Sequence, residues 1–235
     1  MSSKKEVKIT CPRCDATSPF TVWLSINTAD DPELKESVRN QSLFRFTCPY
    51  CGVETMIDYG LLYHQPEEKL MVHYAVTPEN EQEVVSMLTD PLKNEPFRSL
   101  FDAHYVIRVV RSRNQMLEKL AIFDANFDDR LIELYKRDLE QAYKAEHPDA
   151  SAPQLLLFNT TENEQMFQII DGNETKVDVP LNTSYYYLLL QRHGKEMREL
   201  YEESPVVDQN WADVFLRTDN YIVPRNTSNT VDQIN

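Results

Sequence analysis

All four cysteines of this chain lie in two copies of one short pattern, Thr10-Cys11-Pro12-Arg13-Cys14 and Thr47-Cys48-Pro49-Tyr50-Cys51. A C-x-x-C turn places two sulfurs on one side of a tight loop. Two such turns offer four thiolates, the donor set and number that tetrahedral Zn²⁺ takes in structural sites. Cys11, Cys14, Cys48 and Cys51 are therefore the expected metal ligands. Pro12 and Pro49 each fix one φ angle, so less backbone freedom is lost when the turn orders. Gly52 follows the second pair, where a left-handed residue would turn backbone N–H groups toward sulfur. Asp15 holds that place in the first copy, and Asp is among the few other residues that tolerate the conformation. Zn²⁺ with four thiolates is doubly negative, and Lys8, Arg13 and Arg45 lie in the brackets to offset it. Structural zinc contributes ~10–16 kcal/mol in small peptides, ample to organise a β module with few core residues.

Three other chemistries use the same residues. A C-x-x-C pair can be a redox dithiol, but two copies with matching flanks point to a shared metal. The four thiolates also suit a single iron, and the brackets resemble those of rubredoxins, which would make the protein an electron carrier. Buried, unliganded thiols would not repeat their flanks. Zinc is the preferred reading and iron the alternative.

Elements must hold the two turns together. After the first, "FTVWLSI" alternates Phe20, Val22, Leu24 and Ile26 with Thr21, Trp23 and Ser25, the period of a strand with one buried face. After the second, "VETMIDY" alternates through Val53, Thr55, Ile57 and Tyr59. Residues 15–47 separate the pairs, more than the ~15–20 of a simple four-cysteine finger. Thr28 to Asp31 offer caps, Pro32 suits a first turn, and Glu33 and Glu36 favour a helix start, so the insert is expected to hold a short helix. The expectation is a zinc-ribbon-like β module with a helical insert.

The paired C-P-x-C motifs, the insert "DPELKESV", the closing "LFRFTCPYCG" and the following "LLYHQPEEKLMVHYAV" resemble the CpXC family, named for these motifs. The resemblance is clearest over residues 8–76 and continues through "EKLAIFDANFDDRLIELYK" at 118–136. It implies that the same four cysteines are the family's. Asp15 departs from the glycine expected after the first pair. The family has no assigned activity, so the resemblance sharpens the site and leaves the role open.

The remaining chain reads as helices followed by a small antiparallel sheet, an α+β architecture. Thr77 and Pro78 open a helix with Val84, Val85 and Leu88 on one face, and Asp90-Pro91 ends it. Asn114 is the expected cap of "QMLEKLAIF". Asp128 and Asp129 open a helix striped by Leu131, Leu134, Tyr135, Leu139 and Ala142, which His147-Pro148 closes before a linker at 149–153. "QLLLF", "QMFQII" and "TKVDV" are strand-like, with a hairpin turn at Asp171-Gly172. Asn182 or Thr183 caps "YYYLLLQRHG", Gly194 is its expected stop, and "KEMRELYEE" a further helix. "VVDQNWADVFL" fits helix or strand. These changes divide the chain at 1–76 (the cysteine module), 77–150 (helical), 151–223 (α+β) and 224–235 (a disordered tail).

Composition excludes several functions. The chain has 235 residues and a net charge of −14, which opposes a general grip on nucleic-acid phosphates. Its four glycines cannot build a phosphate loop or dinucleotide fingerprint. No apolar run approaches the ~20 residues of a membrane span, and no leader is evident. A reducing, cytoplasmic setting with free thiols is the expectation. Asp124, Asp128, Asp129 and Glu133 could form a carboxylate site, though capping and dipole compensation explain them more simply. His64 and His73 are spare ligands or bases beside a site that four cysteines already close. Arg108, Arg111, Arg113 and Lys119 form a basic run, read as a phosphate face or, more simply, a solvated face paired with acids. Tyr185 to Tyr187 could expose a ring at an interface, though a helix with one wide buried face explains them more simply. The expected function is a zinc-binding protein whose closed site is structural and which works by presenting a surface to another protein, without a catalytic residue set. The alternative is an enzyme, one acting on nucleic acid included, with the ribbon as its docking piece.

Overall fold

The computed structural model describes residues 1–90, 92–146, 155–160, 164–171, 174–200 and 204–222. Pro91, the His147-Pro148 stop, the 149–153 linker, Gly172 of the hairpin turn and the 224–235 tail lie outside the described residues.

The chain opens with β1 (Ser3–Thr10) and β2 (Thr17–Asn27), then α1 (Glu33–Arg39), the hairpin β3 (Arg45–Thr47) and β4 (Glu54–Met56), and β5 (Leu61–Gln65) and β6 (Leu70–Tyr74). Helices α2 (Pro78–Thr89) and α3 (Arg98–Asp102) lead to β7 (Val106–Val110), followed by α4 (Arg113–Asp124) and α5 (Asp129–Glu146). Strands β8 (Leu155–Thr160), β9 (Gln165–Asp171) and β10 (Glu174–Pro180) precede α6 (Thr183–Leu200) and α7 (Gln209–Ile222). The fold is mixed α+β, with a small antiparallel sheet ordered β10-β9-β8.

The main sheet runs β1-β2-β5-β6-β7. β2 and β5 pair in parallel, so the chain between them must cross over, and α1 with the β3–β4 hairpin fills that crossover. β6 and β7 are parallel too, joined through α2 and α3. Because β7 lies beyond residue 76, the sheet continues across that position. Alternate residues send Leu61, Tyr63, Val72 and Tyr74 to a core shared with α1 and α4. Met71, Ala75, Ile107 and Val109 point the other way, onto Leu88, Val84 and Val85 of α2. A third core joins α4 and α5 to the C-terminal part through Ile122, Leu131, Tyr135, Phe158, Phe167 and Phe215.

Local rules explain most boundaries. Thr77 caps α2, accepting from Asn80 N at 3.3 Å, and Asn182 caps α6, accepting from Tyr185 N at 3.1 Å. The segment at 206–216, which fitted helix or strand, is helical from Gln209 onward: Asp208 accepts from Trp211 N at 2.8 Å, and Trp211, Ala212 and Phe215 enter the third core.

Several local expectations are corrected. Ser112, not Asn114, caps α4, in a capping box with Gln115; the serine hydroxyl reaches the amide three residues on, the better geometry. The start of α1 has no side-chain cap, because its N-cap position is Pro32, which carries no side-chain acceptor; the Thr28 hydroxyl donates to Glu67 at 2.9 Å. Gly194 does not stop α6, which runs on through "KEMREL" as one helix; packing outweighs the ~1 kcal/mol cost of an internal glycine. Leu24 leaves the buried face of β2. Ser3 pairs with Ser25 but Lys4 with Trp23, so Leu24 is the extra residue of a bulge and stands exposed. On α5 the stripe turns to Tyr143, and Ala142 is exposed.

Candidate metal centre

The two cysteine turns superimpose in their hydrogen bonding. Cys11 N donates to Ala16 O at 2.9 Å and Asp15 N to Cys11 O at 3.0 Å. Cys48 N donates to Val53 O at 2.9 Å and Gly52 N to Cys48 O at 2.9 Å. The fifth residue of each turn is left-handed, Asp15 at φ 56° and Gly52 at φ 71°, so Asp15 adopts the glycine conformation. Arg13 N also donates to Cys11 Sγ at 3.4 Å.

The first turn hangs between β1 and β2, the second between β3 and β4. Hairpin and sheet meet over a small core of Cys11, Phe46 and Cys48, with Ile9, Phe20, Cys51, Val53 and Ile57 around it. Phe20 meets Phe46 edge to face at 6.0 Å. The hairpin is tied to the body just past β4, where Ile57 N donates to Phe44 O at 2.8 Å. Asp58 accepts from Tyr74 Oη at 2.9 Å and from Arg113 Nε at 2.6 Å.

This packing brings all four sulfurs within 4.8 Å of one another. Cys11 Sγ lies 3.6 Å from Cys51 Sγ, and Cys14 Sγ lies 3.7 Å from Cys48 Sγ, so the short contacts run between the turns. A tetrahedron with metal–sulfur arms of about 2.3 Å has edges of about 3.8 Å. A disulfide needs about 2.05 Å. Donor chemistry and spacing both fit a four-coordinate metal. Cys11 and Cys48 are buried, Cys51 is half-buried and Cys14 is exposed. Burial raises the Cys11 thiol, but the Arg13 and Cys14 amides and the neighbouring thiols outweigh it and bring the group down to about 6. The Ala16 amide lowers Cys14, yet burial and the other three sulfurs push it up to about 12. Negative charges this close repel one another, and a cation between the sulfurs offsets that repulsion.

The other sequence candidates do not join this centre. His64 Nε2 lies 3.2 Å from Tyr105 Oη, and burial pushes both His64 and His73 below the usual imidazole range. Asp124 is held bidentately by Arg39 at 2.7 Å, and Asp128 pairs with Arg130. Asp128 and Asp129 line one cavity and Glu133 another. Every member of the basic run meets an acid: Arg111 with Glu81, Arg113 with Asp58, Arg108 with Asp129, and Lys119 with Asp129 and Glu133. Arg108 and Lys119 are buried rather than solvated, which corrects that reading for these two. Tyr186 is buried and Tyr187 exposed.

Sequence reading missed a buried ion network that includes Glu118 and Lys136. Arg108 grips Asp129 through Nε and Nη2 at 2.7 and 2.8 Å. Lys119 bridges Asp129 and Glu133 at 3.0 and 3.1 Å, and Lys136 bridges Glu133 and Glu118 at 3.1 and 3.0 Å. Burial raises Asp129, but Arg108 and Lys119 hold it well below the carboxylate range. Burial and the Glu133 charge keep Glu118 above its range despite Lys136. The available signal was charged residues amid apolar helix positions, which reads equally as a solvated face.

A family model described as CpXC protein matches residues 9–136, a span that holds both cysteine turns and all six charges of the network. Neither a curated protein nor a solved structure matches the chain.

Proposed function

The chain belongs to the CpXC family, and we propose that it is a zinc protein whose closed four-cysteine site builds a ribbon-like platform for another protein. The observation that carries this reading is the single cluster of four sulfurs, bridged between turns at 3.6 and 3.7 Å. Cys11, Cys14, Cys48 and Cys51 would hold the ion. With four protein ligands it has no open position for water or substrate, so the ion's contribution is structural.

A docking role for the platform is supported by its outer surface. Arg13 and Tyr50 occupy corresponding places in the two turns, and both are exposed, Tyr50 at 70%. Tyrosine and arginine are the residue types enriched at protein interfaces. Among the described residues no helix is long and apolar enough to cross a membrane.

Iron is the second reading, favoured by the same sulfur geometry. Metal analysis by mass spectrometry, with an absorption spectrum of the same untagged sample, separates the two. One zinc per chain without visible bands is expected. One iron with thiolate-to-metal bands would move the protein to electron transfer. Absence of stoichiometric metal after anaerobic reconstitution would remove both readings. Tyr50→Ala should keep the metal and weaken capture of the partner; unchanged capture would move the docking surface elsewhere.

A further inference from the structure

A second site lies away from the sulfurs, where β7 ends and α4 begins. A cavity of about 320 Å³ opens there, within the size range of small-molecule pockets. Its wall is apolar, made by Val109, Leu157, Val206 and Val207. Charged groups of the buried network, Glu118, Lys119, Glu133 and Lys136, line it, and Glu81, Arg111 and Gln115 complete that polar side.

Among the buried side-chain atoms of this lining, the one left without a partner is a donor. Both oxygens of Glu133 are engaged, by Lys119, Lys136 and Gln209. Glu118 accepts from Lys136 through both oxygens and from Phe158 N at 2.7 Å. The remaining acids are compensated: Glu81 pairs with Arg111, Glu140 with Lys144, and Asp208 caps α7. Donors are left over. Arg111 gives Nη1 to Glu81 at 3.0 Å, while its Nε is buried without a hydrogen-bond partner. Lys119 has three N–H donors and spends two, on Asp129 and Glu133. The positive end of the α4 dipole also lies at this rim. A buried donor without an acceptor costs ~1–3 kcal/mol, so the cavity is short of an acceptor atom.

We propose that this cavity binds a small organic acid, its carboxylate or phosphate head accepting from Arg111 Nε and its body lying on the valine wall. The anion completes the donors of Arg111 and Lys119, and the apolar wall selects a carbon-bearing ligand over a bare ion. This site is independent of the metal centre.

The test is a titration of the full, metal-loaded chain, followed through the arginine Nε–H resonances by NMR. Succinate, glycerol 3-phosphate and inorganic phosphate are the probes, with glycerol as the neutral control. Saturable shifts at the Arg111 Nε–H with a Kd at or below ~1 mM are expected for one of the two organic acids, and the one that binds names the head group. Arg111→Met and Arg111→Lys should each weaken binding at least tenfold; the lysine keeps the charge but lacks the Nε donor. Arg113→Met, on a residue that does not line the cavity, should leave binding unchanged. Thermal melts confirm that the variants fold. No saturable shift with any probe, equal loss in the Arg111 and Arg113 variants, or inorganic phosphate binding as tightly as both organic acids would each overturn the proposal.

Discussion

At the scale of single residues, the centre depends on thiolates and on two left-handed turns. Cys48→Ser removes a buried sulfur from the middle of the small core, and the protein should lose its metal and the order of its cysteine module. Retention of native metal stoichiometry in that variant would refute the four-cysteine assignment. Metal binding must displace thiol protons, so affinity should fall as pH falls, which competition with a zinc chelator from pH 8 to pH 5 would measure. Asp15 tests the turn itself. At φ 56°, Asp15→Gly should hold metal at least as well as the parent. Asp15→Val should weaken it by on the order of tenfold, because a β-branched residue pays about 1–2 kcal/mol in that conformation. Equal affinity of the two variants would show that the turn is not strained.

Elements are held in place by ions as well as by apolar cores. β7, α4 and α5 meet through the buried Arg108, Lys119 and Lys136 pairs. Removing one partner of such a pair leaves a buried charge alone, so Asp129→Asn should destabilise the chain by about 3–5 kcal/mol, read by denaturant unfolding. Asp129 and Glu133 are held below the carboxylate range. Their contribution is complete above ~4 and is lost as pH falls through their lowered folded-state values. Lys119 and Lys136 are held above the lysine range; their contribution is complete below ~10.4 and is lost as pH rises through the raised values. Glu118 acts in the opposite sense, since its raised value makes its ionisation costly at neutral pH. Stability measured against pH should therefore form a plateau with an acid limb, and Asp129→Asn should flatten that limb. An unchanged limb in the variant would place the acid sensitivity outside the network.

At the scale of the whole molecule, the family span ends at Lys136, but the packing does not. Ile122, Leu131 and Tyr135 share a core with Phe158, Phe167 and Phe215, and the network is completed by Phe158 N on Glu118, Gln209 on Glu133 and Ser204 O on Arg108. A fragment of residues 1–136 should therefore lose the cooperative thermal transition of the full chain; a sharp native-like melt of the fragment would show that the C-terminal part is a separate unit. The cysteine brackets, the alternation of β2, the α2 cap and the three C-terminal strands were legible in the sequence, because each follows from contacts within a few residues. Spacing and side-chain type alone predicted the four sulfurs as one set and the left-handed Asp15. The joining of β7 to the sheet of the cysteine module, the bulge at Leu24, the continuation of α6 through Gly194 and the burial of Arg108 and Lys119 were decided only by the tertiary structure. They depend on partners tens of residues away. A lysine beside a glutamate in a helix reads the same whether it faces water or a carboxylate from another element, and only packing excludes the water.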